Sequence, residues 1–174
     1  MSIANRLSNY LSVSQTHYRV ISHKMTHSAA DSAHAAHLPA ASVVKSLLLR
    51  DRRDGRYMVA LTPACNRLQL SWMAMEMGAD PVLAREAELP EVFPDCSLGA
   101  VPGFGQAYNL EVVWDDELSS QPLLYFEAGN HEELIEIEDY EFRQLFDSFP
   151  HAAISLPNER YASYHADEVR GGLH

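Results

Sequence analysis

A chain of 174 residues fits one domain at the usual size of roughly 100–200 residues each. Its 47% hydrophobic and 21% charged content is ordinary globular usage and argues against wholesale disorder. Thirteen Lys and Arg against 24 Asp and Glu leave a net charge of −11, which excludes a broad basic face for gripping duplex nucleic acid, although a local basic site could survive inside an acidic surface because exposed charges are screened beyond roughly 8 Å.

In chain order, Ile3, Leu7, Tyr10 and Leu11 recur at helical spacing, so residues 2–13 read as a short amphipathic helix. Alternation around Tyr18 and Val20 suggests a strand over 17–22. The alanine-rich stretch 28–38 reads as a helix, with Ser28 as N-cap and Pro39 as the stop. Two apolar runs, 42–49 and 56–62, flank a loop ending Asp54-Gly55 and read as a β-hairpin. Residues 67–77 are ambiguous: Leu68 and Leu70 alternate, whereas Trp72 to Met77 before Gly78 look like a glycine-capped helix. A short helix is expected at 86–93, ending at Pro94, and a loop at 99–105. Strands follow at 109–114, 123–127 and 134–137. The clearest helix is 138–149, striped by Tyr140, Phe142, Leu145, Phe146 and Phe149 behind an acidic first turn. From His151 the pattern fades into a polar tail. The sum is an α/β (α+β) domain with a mixed, largely antiparallel sheet flanked by helices, because strands and helices do not alternate regularly. No apolar run approaches the roughly 20 residues of a spanning helix, and the N-terminus lacks a signal peptide's apolar core. Two cysteines, Cys65 and Cys96, make no disulfide framework; reduced thiols in a cytoplasmic protein are expected.

Lys45 interrupts an apolar strand, and an unpaired buried ammonium is costly, so it either snorkels to solvent or sits at the floor of a cleft, poised for a phosphate, carboxylate or oxyanion. The loop Gly99–Gly105 holds three glycines and a proline; it is either a plain turn or a backbone N–H nest open to a ligand. His34 and His37 stand three apart on the expected helix, a spacing two metal ligands could use, but no thiol or HExxH frame accompanies them, and no metal is expected. Cys65 and Cys96 read as small buried hydrophobes, and no GxSxG elbow is present.

Four segments in order resemble the YbaK family and the related editing (insertion) domain of bacterial prolyl-tRNA synthetases. They are His23 to Ala36, with Ser28 where the family usually has threonine; Ser42-Val43-Val44-Lys45-Ser46-Leu47-Leu48-Leu49, similar to its lysine-bearing strand; the Gly99–Gly105 loop; and Tyr125-Phe126-Glu127-Ala128-Gly129-Asn130-His131 followed by 134–137. The family loop often reads Gly-x-x-x-Pro, whereas here Gly103 takes the fifth place and proline stands one earlier, at Pro102; the expected consequence is a loop freer in φ and a roomier pocket. The segment order and intervals agree over about residues 17–148, which implies a domain over 1–150; the polar tail at 151–174 has no counterpart in the resemblance. The resemblance also implies a freestanding hydrolase that removes a wrong, small amino acid from the 3′ end of tRNA without metal or other cofactor. Lys45, Gly99, Gly103 and His131 would be catalytic, and Ser28, Ala100, Val101, Pro102 and His23 would bind substrate. Partners would be the aminoacyl-tRNA acceptor end and an aminoacyl-tRNA synthetase, with no membrane and no DNA. The rival is a non-catalytic module of the same fold that binds tRNA, a nucleotide or a synthetase. A histidine-bound metal hydrolase is the more distant third.

Overall fold

The computed structural model describes residues 2–159. Helix α1, Asn5–Val13, turns Leu7 and Leu11 fully inward, as the spacing of its apolar residues requires. Strand β1 is Arg19–Ser22, and α2 is Ala29–Ala35, started by Ser28, whose Oγ accepts the Asp31 N–H at 3.1 Å. The helix expected over 28–38 stops early. His37 turns left-handed at φ 57°, and the N–H groups of His37 and Leu38 close back onto the carbonyls of His34 and Ala33 at 3.2 and 2.9 Å. His37 therefore lies off the helix, and the pairing of His34 with His37 on one helical face is not formed.

The hairpin forms as read: β2, Val44–Asp51, pairs antiparallel with β3, Tyr57–Pro63, placing Lys45 opposite Thr62. The ambiguous stretch is both things in turn, a short strand β4, Asn66–Leu68, and then helix α3, Leu70–Met77. Next come β5, Pro81–Leu83, a 3-10 turn at Glu86–Glu88 running into α4, Leu89–Val92, and a second 3-10 turn at Gly105–Tyr108. Strands β6, Glu111–Asp115, β7, Leu123–Glu127, and β8, Glu133–Glu138, lead to α5, Asp139–Phe146. Within the expected stripe of α5, Phe142 and Phe146 are fully buried, but Tyr140 is 66% exposed.

Residues 151–157 do not leave the fold as a polar tail. They form β9, His151–Ala152, parallel to β6, and β10, Ser155–Pro157, antiparallel to β4. Ile154 between them is fully buried, and its N–H is donated to the buried Asp115 carboxylate at 3.0 Å. The two strands are too short to carry a pattern of their own, and their partners β6 and β4 lie far off in sequence, so the segment reads as a tail until the pairing is seen. Residues 160–174 of the expected tail lie outside the described residues.

The result is an α/β domain with a five-stranded mixed sheet in the order β5-β2-β3-β6-β9 and an antiparallel sheet β1-β8-β7, with β10-β4 beside them. The main core joins α1, α5 and the second sheet to one face of the first through Leu7, Leu48, Leu61, Phe104, Phe126 and Phe146. A smaller core with Met73 of α3 covers the opposite face through Leu49, Met58 and Ala60.

Candidate active site

The two sheets touch at the start of β2, where Val43 bridges Tyr125 of β7. At its far end β2 pairs with β5 only from Leu49 onward, although the Ala84 N–H also reaches the Leu48 carbonyl at 3.0 Å. Between these two attachments the outer edge of β2, from Val44 to Leu47, joins no further strand among the described residues. A cleft of about 420 Å³ opens along that edge. Its walls include Lys45 and Ser46 of β2, His27, Ser28, Ala29 and Ser32 at the start of α2, Gly99 and Val101 of the glycine loop, and Glu127 and His131 around the turn from β7 to β8. A split sheet thus supplies the cleft.

Lys45 is half-buried, and its ammonium is donated to the main-chain carbonyl of Asn66. No carboxylate pairs with it among the described residues. Burial pushes its pKa below the ordinary lysine value; the Cys65 thiol opposes that shift and the Arg67 guanidinium adds to it. One of its three N–H donors is committed to Asn66, which leaves donors for a ligand's oxygen.

His131 is 7% exposed and holds a left-handed backbone, φ 65°. Glu127 fixes it there: one carboxylate oxygen accepts the N–H groups of Gly129, Asn130 and His131 at 2.8, 3.0 and 3.1 Å. The ring Nε2 lies 2.6 Å from the Leu98 carbonyl, which can only accept, so Nε2 carries a proton and Nδ1 is the basic nitrogen of the neutral ring. The His27 ring packs against it at 4.9 Å.

The loop is more selective than its composition suggests. The Ala100 N–H goes to Ser97 at 3.0 Å, that of Val101 to Gly99 at 3.1 Å, and Pro102 has none. Gly99, at φ 80° in the left-handed region and on the cleft wall, is therefore the loop residue whose amide can face a ligand. Gly103 does not line the cleft. Its φ is not in the left-handed region, so conformational freedom is not the reason for glycine there. A Cβ at this position would stand 2.4 Å from Phe126 Cδ1 and 3.1 Å from Ser46 Oγ, so the reason is space. The volume expected from losing the loop proline is filled by the Phe126 ring. Pro102 is buried behind the wall, and Ala100 lines a neighbouring hollow of about 160 Å³ rather than the cleft.

Of the remaining expected residues, Ser28 lines the cleft while capping α2, and His23 does not line it. The His23 N–H is donated to the Glu132 carbonyl at 2.8 Å beside the His131 turn, and its Nε2 is buried without a partner. The geometry thus brings Lys45, Gly99, Val101, His131 and Ser28 together and leaves Ala100, Pro102, Gly103 and His23 behind or beside them. Sequence reasoning missed Asn66 and Leu98, which act through main-chain carbonyls and so carry no side-chain signal. It also missed Glu127, whose anchoring role is legible only as an acid before a Gly-Asn-His turn. Among the described residues no three His, Cys, Asp or Glu side chains converge as metal ligands would, and no helix is long and apolar enough to cross a membrane.

Neither thiol is a nucleophile in waiting. Burial raises the pKa of Cys65, and that of Cys96 is pushed up to about 12, by burial first and by the neighbouring Asp95 carboxylate. Both are expected to resist iodoacetamide at pH 8 in the native protein and to react at once in denaturant. Rapid native labelling, read by mass spectrometry, would contradict this burial.

A mixed sheet split at one edge, with the Lys45 ammonium, a glycine loop and a fixed histidine around the gap, defines an α/β domain with a small-ligand cleft. Sequence comparison gives the particular family: the model of the aminoacyl-tRNA editing domain matches residues 23–145, and the chain belongs to that family. The fold is similar to the crystal structure of a hypothetical protein, APE2540, at TM-score 0.76 and 22% identity over 87% of this chain and 100% of that one. It is also similar to a candidate trans-editing enzyme for prolyl-tRNA synthetase, at TM-score 0.74 and 23% identity over 87% and 95%. A candidate signal-transduction protein from Marinobacter aquaeolei VT8 shares it at TM-score 0.69 and 14% identity over 87% of this chain and 30% of that one. No curated protein sequence matches this chain.

Proposed function

We propose that this protein is an aminoacyl-tRNA deacylase acting in trans, which hydrolyses the ester between a wrongly attached small amino acid and the 3′ end of tRNA. The observation that carries the reading is the Lys45 ammonium, with no carboxylate partner among the described residues, on the wall of the same cleft as Gly99 and His131. Water attacks the ester carbonyl, the oxygen takes up negative charge, and the C–O bond to the ribose breaks to free the amino acid and the tRNA hydroxyl. Such a reaction needs positioning and charge stabilisation rather than a covalent nucleophile. Lys45 supplies the positive charge, the Gly99 amide faces the carbonyl, and Nδ1 of His131 accepts a hydrogen bond from the attacking water or the substrate amine. A net charge of −11 is compatible with this role when only the single-stranded acceptor end, and so few phosphates, is held.

The cleft lies near the low end of the roughly 300–1,000 Å³ typical of ligand pockets, and a terminal nucleoside must share its 420 Å³ with the amino acid. The side chain accepted is therefore small. One methylene in an apolar pocket is worth only about 1–3 kcal/mol, so close neighbours are both cleaved. With tRNAs charged with alanine, serine, threonine, cysteine, proline and tyrosine, release above spontaneous hydrolysis is expected for the small residues and not for tyrosine. Binding of the acceptor end without release from any ester would make the protein a non-catalytic module, and rapid release of tyrosine would refute the small cleft.

A further inference from the structure

The carbonyl that receives the Lys45 ammonium belongs to a residue held from the far end of the chain. Asn66 is 1% exposed, and its Nδ2 donates to Ser155 Oγ and to Glu117 Oε2, each at 3.0 Å. Ser155 Oγ donates its own hydrogen bond to Asp115 Oδ2 at 2.7 Å, and the other oxygen of that buried carboxylate accepts the Glu117 N–H at 2.9 Å. Strand pairing sets Pro157 opposite Asn66, and the Asn158 N–H reaches the Cys65 carbonyl at 2.8 Å. The segment from Ser155 to Asn158 therefore grips the backbone and the side chain around Asn66, and it lies beyond the residues 23–145 that match the editing family.

We infer that Ser155, anchored by Asp115, is a positioning residue that fixes the Asn66 carbonyl and through it the Lys45 ammonium at the cleft. A long flexible side chain tied by one hydrogen bond is only as well placed as its acceptor. Without the Ser155 hydroxyl, Asn66 keeps one of its two amide partners and Asp115 Oδ2 loses its shortest bond. Ser155 itself lines no part of the cleft, so its removal should spare substrate binding. The catalytic half of this inference rests on the deacylase reading; the geometric half does not.

The chain has two lysines, Lys24 and Lys45. Labelling with 13Cε-lysine therefore gives two side-chain signals, with Lys24 as the internal control. In Ser155→Ala the Lys45 signal is expected to move toward that of Lys24, with its titration midpoint rising toward lysine's ordinary 10.5 as the ammonium leaves its half-buried seat. The Lys24 signal stays in place, and Ser155→Thr, which keeps the hydroxyl, restores the Lys45 signal. Asn66→Ala, which keeps the carbonyl and deletes the amide, is read in parallel and moves Lys45 in the same way. Turnover falls by about 10-fold to 10²-fold in kcat with little change in KM. A Lys45 signal and titration unchanged in folded Ser155→Ala or Asn66→Ala overturns the positioning role, whatever the activity. A Lys45 signal that moves in a protein that cleaves no ester upholds the positioning and removes the deacylase reading instead.

Discussion

Lys45→Ala is expected to lower deacylation by about 10²–10³-fold, the usual cost of removing one preorganised donor from a developing oxyanion. The fold should survive, because the ammonium contributes nothing to the core. Burial lowers the folded pKa of Lys45 below its unfolded value, so the unfolded chain binds more protons between the two. Burying the ammonium thus costs stability at neutral pH, and that cost is relieved as pH rises through the folded pKa. Lys45→Met should accordingly be inactive yet at least as stable as the wild type at pH 7. In the wild type the enzymatic rate, corrected for spontaneous hydrolysis, should fall on the alkaline side at a pH below 10.5, as the ammonium loses its proton. A folded Lys45→Ala protein with near wild-type turnover would remove the residue from the mechanism.

The second large effect concerns the glycine that stands where the family loop often has proline. Phe126 is fully buried, packs tilted against Phe104 at a centroid distance of 4.6 Å, and stacks on Phe146 at 5.6 Å. Its ring edge occupies the space a Cβ on Gly103 would need. Gly103→Ala should therefore destabilise by about 1–3 kcal/mol through overpacking, and Phe126→Ala by about 3–5 kcal/mol through the hole it leaves. In the double variant the new methyl group enters that hole, so its loss of stability should be smaller than the sum of the two single losses. Strict additivity in denaturant unfolding would show that Gly103 is present for some reason other than the ring.

The parts of this molecule that were legible in its sequence are those stabilised locally or by a long periodic face. The α5 stripe, the Ser28 cap and the 42–62 hairpin each carry their own signal over several residues. Strands β4, β5, β9 and β10 are two or three residues long; Leu68 and Leu70 give β4 only an ambiguous alternation, and nothing in His151–Ala152 prefers a strand without the neighbour that pairs with it. The site divides in the same way. Lys45 was visible because a charge in an apolar run demands an explanation, and Gly99 because glycine clusters mark tight backbone. Asn66 and Leu98 were not, since any residue type presents the same carbonyl. Gly103 stands out as a departure from the family loop, but a sequence shows only that a side chain is missing and not which neighbour has taken its room, so the expected freer loop and roomier pocket give way to the Phe126 ring.

The gap along β2 also opposes durability to turnover. Each main-chain hydrogen bond that Val44 to Leu47 would make to an added strand contributes about 0.5–1.5 kcal/mol net, and the fold leaves that edge unzipped between β7 and β5. Stabilising changes that lengthen β5 toward the Val43 bridge would seal the groove with the same amides and carbonyls that now border it. Selection for heat tolerance in the absence of substrate should therefore drift toward a continuous sheet, and variants that gain most in Tm along this edge should be the ones that no longer admit an acceptor end.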